Sequence, residues 1–139
     1  MLRMKNTHLL ACALLFGAAC GGTSTAPATL TEVKTSVFKP SCTLSSCHDA
    51  SSKMGSLDLV TNPYAALINV ASVQAGAANE GLKRVVPGDL QKSFLNIKVT
   101  LSSAEDPKYG GRMPDTGQTL DANQLNILQG WILAGAPNN

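Results

Sequence analysis

The segment Cys42-Thr43-Leu44-Ser45-Ser46-Cys47-His48 brings two thiols and an imidazole together in one short stretch. It reads C-x4-C-H, a stretched form of the C-x-x-C-H pattern for covalent haem attachment. Such attachment needs two thiols beside the porphyrin vinyl groups and an imidazole beneath the iron. A histidine directly after the second cysteine meets that need, because thioether formation delivers the ring to the metal. In the shorter pattern the cysteines lie nearly one helical turn apart and share a face. Here the longer separation rotates them by roughly 140° in an ideal helix. Residues 43–46 are therefore expected to bulge, so that both thiols reach one porphyrin.

A haem iron also takes a ligand on its other face. His48 and His8 are the only histidines, and His8 falls in a segment read below as a leader. Bis-histidine ligation within the mature chain is thereby excluded. The methionines beyond the leader are Met54 and Met113. Met54 follows His48 so closely that its segment would have to wrap the haem edge almost fully extended. Met113 stands in Gly110-Gly111-Arg112-Met113-Pro114. Glycine permits close backbone approach, proline stiffens the exit, and a thioether is an established haem ligand. Met113 is the expected distal ligand, with a gap-filling core methionine as the plain alternative. Arg84 and Arg112 are candidates to pair with haem propionates, or else solvated surface arginines.

Other chemistries fit less well. Structural zinc usually takes four Cys/His ligands, and only Cys42, Cys47 and His48 are offered beyond Cys20. An iron–sulfur cluster lacks its four cysteines. A Cys–His catalytic pair needs a base placed by the fold, which sequence neighbours seldom supply. The main rival is a Cys42–Cys47 disulfide in a haem-free exported lipoprotein domain serving interaction, which the oxidising compartment allows. No paired catalytic carboxylates or nucleophile elbow point to an enzyme, although an open haem site of peroxidase type is a third possibility.

Arg3 and Lys5, followed by the apolar run Leu9 to Ala19, form a signal peptide over residues 1–19. Phe16-Gly17-Ala18-Ala19-Cys20 is similar to a lipobox, so Cys20 is the expected lipidation site, against ordinary cleavage before it. Losing Arg3 and Lys5 from 11 basic residues leaves the mature chain level with its 9 acidic ones. A formally neutral chain argues against nucleic-acid binding, which needs a clustered basic surface. Residues 20–29 read as a flexible tether, and 30–139 as one domain.

The elements that must position these groups are helical. Thr29 and Glu32 have capping-box spacing, and Leu30, Val33, Val37 and Phe38 then share a face. Pro40 should end or bend that helix before the cysteines. Asn62-Pro63 starts a short helix through Val70. Ala71 to Gly81 reads as a weakly specified loop, and Asp89 as the cap of a helix carrying Leu90, Phe94, Ile97 and Leu101. Ser102 to Gly117 is a long loop of the kind that tends to be functional. Asp121 and Gln124 cap a last helix with Leu125, Leu128, Trp131 and Ile132 on one face. Gly135 and Pro137 end it, and Trp131 is expected to pack against the first helix. Pocket or core candidates are Phe38, Leu44, Leu57, Leu59, Tyr64, Leu67, Phe94, Tyr109 and Trp131.

Val37-Phe38-Lys39-Pro40 before C-x4-C-H, Arg84-Val85-Val86-Pro87-Gly88-Asp89, Gly-Gly-Arg-Met-Pro and Gly130-Trp131-Ile132-Leu133-Ala134-Gly135-Ala136 together carry a resemblance. Over about residues 30–136 the chain resembles the cytochrome c-like domain of bacterial exported lipoproteins. The resemblance implies a small all-α fold with terminal helices packed beside one covalently bound haem c. It implies Cys42 and Cys47 as attachment cysteines, His48 as proximal and Met113 as distal iron ligand. It further implies one-electron transfer to redox partner proteins, a lipid anchor in the bacterial cell envelope, and no small-molecule substrate.

Overall fold

The computed structural model describes residues 26–139. The leader over 1–19, the expected lipid site Cys20 and most of the tether lie outside the described residues. Among the described residues the chain is all-α: short helices joined by long turns, with isolated bridges but no strand. No helix among them is long and apolar enough to cross a membrane.

Thr29 Oγ1 accepts the Glu32 N–H at 3.0 Å and opens α1 (Leu30–Val33). Only this half of the expected capping box forms. The helical path then widens into a π-helical segment (Lys34–Phe38) and tightens again into α2 (Lys39–Ser41). Pro40 sits in the last turn of this run, which ends at Ser41, directly before Cys42. Proline has no N–H to give the preceding turn. The Ser36 carbonyl, one turn back, instead accepts from Gln124 Nε2 at 3.0 Å.

Gln124 belongs to α6 (Ala122–Leu133). Its carbonyl oxygen accepts the Asp121 N–H at 3.0 Å, and Asp121 Oδ1 accepts the Gln124 N–H at 2.8 Å. One side-chain amide thus completes the cap of α6 and ties it to the N-terminal helical run. The apolar faces meet along this tie. Leu30, Val33, Val37 and Phe38 are buried opposite Leu128, Trp131 and Ile132. Trp131 is fully buried, and its indole N–H donates to the Pro137 carbonyl at 2.9 Å. That bond satisfies the polar end of a buried indole, as burial of tryptophan requires. Gly135, at φ +91°, turns the chain out of α6. Asn139 then closes on α1, where its carbonyl and side chain accept the Thr31 and Leu30 N–H groups.

Between the terminal helices the elements depart from expectation in three places. α3 (Pro63–Leu67), capped by Asn62, stops before Val70. Ile68 turns extended and bridges Val85, a pairing available only once the distant segment arrives. The supposed loop Ala71 to Gly81 contains α4 (Ala75–Asn79), whose first turn is capped by Gln74 through its side-chain oxygen to Ala77 N–H at 2.7 Å. Asp89 caps a turn, accepting from Gln91 and Lys92 N–H, but α5 begins only at Phe94 (Phe94–Thr100). Ser93, at the start of α5, is buried and spends its hydroxyl on Val86 and Asp89 carbonyls instead of capping. Residues 102–117 form the expected helix-free loop.

Candidate functional site

The chain leaves the helical path immediately after Ser41. The His48 N–H reaches back to the Cys42 carbonyl at 3.1 Å, and the Cys47 N–H to the Leu44 carbonyl at 3.0 Å. Ser46 takes φ +74°, and its N–H donates to Ser52 Oγ at 3.1 Å. Residues 43–46 thus loop outward, as a four-residue spacer must if its ends are to stay close. Cys42 and Cys47 are not joined by a disulfide.

The loop continues into a tight turn that holds the imidazole. The Met54 N–H donates to the Cys47 carbonyl and the Leu59 N–H to the His48 carbonyl, each at 2.9 Å. His48 Nδ1 lies 2.9 Å from the Met54 carbonyl oxygen. A carbonyl only accepts, so Nδ1 carries the proton and the neutral ring keeps its lone pair on Nε2. Burial pushes the imidazole below its ordinary value of 6.5; the Arg84 charge adds to this and the Met54 carbonyl opposes it.

His48 lines a cleft of about 270 Å³ that opens to solvent on one side. Its walls are mainly aliphatic and aromatic: Leu57, Leu59, Leu67, Phe94 and Val99 all contribute. Cys42 and Met113 line the same cleft, as does Met54, whose side chain is largely exposed. Cys47 does not line it. The fold therefore gathers Cys42, His48 and Met113 around one apolar space and leaves Cys47 outside it. Burial, followed by the neighbouring charge of Cys47, pushes the Cys42 thiol up to about 12.

Met113 is delivered by its loop. Its N–H donates to the Lys98 carbonyl at 2.9 Å, and the Arg112 N–H donates to the Ala104 carbonyl at 2.8 Å. The Lys98 ammonium donates to the carbonyls of Tyr109 and Gly111. Tyr109 packs its ring edge-on to Phe94, centroids 5.5 Å apart, and its hydroxyl donates to Glu80. At the far end of the loop Gly76 of α4 lies so close to the Lys108 carbonyl that no Cβ fits between them.

Arg84, Arg112 and Leu44 differ in their relation to the cleft. Arg84, half-buried on the cleft wall, donates to the carbonyls of Ala66, Gly55 and Ser56 at 2.9 to 3.0 Å. Arg112 donates to the Leu101 carbonyl at 3.3 Å and is not on the cleft wall. Leu44, grouped with the pocket candidates, is 43% exposed and lines a separate groove with Pro40 and Pro114. Neither Arg84, between Lys83 and Val85, nor Lys98, between Ile97 and Val99, carries a sequence signal for this bonding.

Of the side chains on the cleft, Cys42, His48 and Met113 have the donor types that a covalently held haem takes. One thiol, one imidazole and two thioethers, those of Met54 and Met113, line this mainly apolar cleft, which is open to solvent on one side. Donation of the second ring nitrogen to a backbone carbonyl is the usual support of a metal-binding histidine. The position of Cys47 is the feature that the fit leaves unaccounted for. Among the described residues no three His, Cys, Asp or Glu side chains cluster to hold another metal ion. No protein-family model, curated protein or solved structure matches the chain.

Proposed function

We propose that the protein is a monohaem c-type cytochrome, a one-electron carrier rather than an enzyme, with a cytochrome c-like fold. The observation that carries this reading is the common cleft of Cys42, His48 and Met113, with His48 Nδ1–H committed to the Met54 carbonyl. Cys42 and Cys47 would hold the haem c covalently, His48 would bind its iron through Nε2, and Met113 would supply the opposite ligand. When bound, such a group takes up and releases one electron, at a potential that His/Met ligation raises.

The chain's own residues keep that chemistry narrow. The Met54 carbonyl fixes the orientation and tautomer of His48. Leu57, Leu59, Leu67 and Phe94 give the space an apolar wall. Lys98 and the terminal turn of α5 hold the Met113 loop against the cleft. We further propose export, a lipid anchor through Cys20 in the bacterial cell envelope, and redox partner proteins in place of a small-molecule substrate or nucleic acid.

The test is production in an export-competent host that carries haem-attachment machinery. Covalently bound haem should appear by peroxidase stain on a denaturing gel and as added mass. A haem-free product with a Cys42–Cys47 disulfide would sink the reading and favour the interaction-domain alternative.

A further inference from the structure

Three successive carbonyls in the turn after His48 are each bound by a distant or ring donor. The Met54 carbonyl accepts from His48 Nδ1 at 2.9 Å, and also from the Leu57 N–H at 3.2 Å. The Gly55 and Ser56 carbonyls both accept from Arg84 Nη2, each at 3.0 Å. The turn presents them this way because Lys53, Gly55 and Ser56 adopt φ of +47°, +61° and +56°. Lys53 and Ser56 gain nothing locally from the left-handed region, which costs side-chain-bearing residues steric energy. Such conformations persist where the surroundings over-determine them. The turn is exposed, with no buried side chain of its own. On its N-terminal side the Met54 and Lys53 N–H groups donate to the Cys47 and Asp49 carbonyls, and on the side of Gly55 and Ser56 Arg84 holds it. Arg84 supplies the fixed point, since its Nη1 is bonded to the Ala66 carbonyl of α3 at 2.9 Å.

We infer that Arg84 is the positioning residue for His48: it anchors the Met54–Ser56 turn to α3, and the turn in turn orients the imidazole through the Met54 carbonyl. Arg84 does not touch the ring through a hydrogen bond; it acts through the backbone. A guanidinium is suited to this because its planar fork donates in several fixed directions at once, whereas an ammonium acts as a point charge. The consequence for electron transfer rests on the haem reading, but the positioning itself does not, and it can be read without haem.

The experiment uses the full chain, purified in detergent without haem, with labelled histidine. His8→Gln leaves His48 as the single labelled imidazole. Nitrogen chemical shifts at neutral pH should report a ring protonated at Nδ1 and unprotonated at Nε2. Arg84→Gln should at least halve the Nδ1-protonated share, because the Met54 carbonyl is no longer held against the ring. Arg84→Lys, which keeps the charge, should fall between the two and so separate anchoring from electrostatics. The circular dichroism and melting of each variant establish that it is folded. An unchanged tautomer in either folded variant overturns the inference, whatever becomes of the haem proposal. Should both variants unfold, the unsubstituted chain decides: Arg84 guanidinium protons must show cross-peaks to Gly55 and Ser56, and their absence overturns it equally.

Discussion

The Met113 N–H donates to the Lys98 carbonyl at 2.9 Å, in the last turn of α5. A carbonyl so near a helix end has no partner within the helix, and Met113 takes it. The same residue's ammonium reaches forward to Tyr109 and Gly111. Lys98 thus grips the methionine loop from both its backbone and its side chain. Lys98→Met keeps the aliphatic stem and removes the donor. It should cost about 1–2 kcal/mol for the lost charged hydrogen bonds and speed amide exchange at residues 109–113 while leaving α6 protected. Exchange that accelerates everywhere alike would argue against a local grip.

Met113→Ala tests the ligand itself. In haem-loaded protein it should abolish the methionine-to-iron absorption band at the red end of the oxidised spectrum. Attached haem, measured by mass, should be unchanged, because the thioether bonds lie elsewhere. A persisting band would remove Met113 from its proposed place and direct attention to Met54, which lines the same cleft.

Gly76→Ala should destabilise the protein although alanine is the better helix former. A Cβ there would collide with the Lys108 carbonyl oxygen, a backbone atom that cannot swing aside. The helical gain is roughly 1 kcal/mol, against about 1–3 kcal/mol for forcing packed segments apart. Denaturant melts should show a net loss, and Gly81→Ala, where a Cβ meets open space but φ is +68°, should be harmful through backbone strain alone.

Cys42 should resist alkylation in the folded, haem-free chain. With its thiol pushed up to about 12 from 9.0, its thiolate fraction near neutrality falls on the order of a thousandfold, and the thiolate is the nucleophile. Mass-spectrometric mapping after brief iodoacetamide treatment should find modification at Cys47 well before Cys42. The linkage has a definite sign. A raised folded value favours the folded state fully below 9.0, and this contribution is lost as pH rises towards about 12.

Asp58 should govern part of the acid limb of stability. Its carboxylate accepts the Thr61 and Val60 N–H groups, each at 2.9 Å. These bonds hold it at about 2, below the ordinary 3.8, with a smaller contribution from the Lys53 charge. A depressed folded value stabilises fully above 3.8 and fades as pH falls towards about 2. Asp58→Asn should flatten the pH dependence of the melting temperature across that window. An unaltered slope would mean that the turn at 58–61 is not formed in solution.

The terminal helices were legible because their signals are local. Thr29, Asp121 and Gln124 cap where their spacing says they should, and apolar residues recur at helical intervals on both elements. Trp131 is buried against the N-terminal run as its place on that stripe predicts. Pro40 stands in the last turn of the N-terminal run, which ends at Ser41 as its place before the cysteines predicts. The Ser36 carbonyl left open by its missing N–H is taken by Gln124, 84 positions from Pro40 in the numbering. α4 carries no periodic signal, because Ala75-Gly76-Ala77-Ala78 has no apolar stripe. What holds it is the Gln74 cap and the close approach of Lys108.

By itself, the sequence determined the chemistry on offer: a lone described imidazole, two thiols behind it, and a methionine in a glycine-flanked loop. Residue identity and short-range spacing decide which donors exist, and that information is one-dimensional. Only the tertiary structure decided which of them share a space. It set Cys42, His48 and Met113 around one cleft, left Cys47 off its wall, and turned Arg84 from a free cation into a clamp on three carbonyls. The reason is that convergence depends on backbone groups far apart in the chain meeting as hydrogen-bond partners, and no periodicity encodes such meetings.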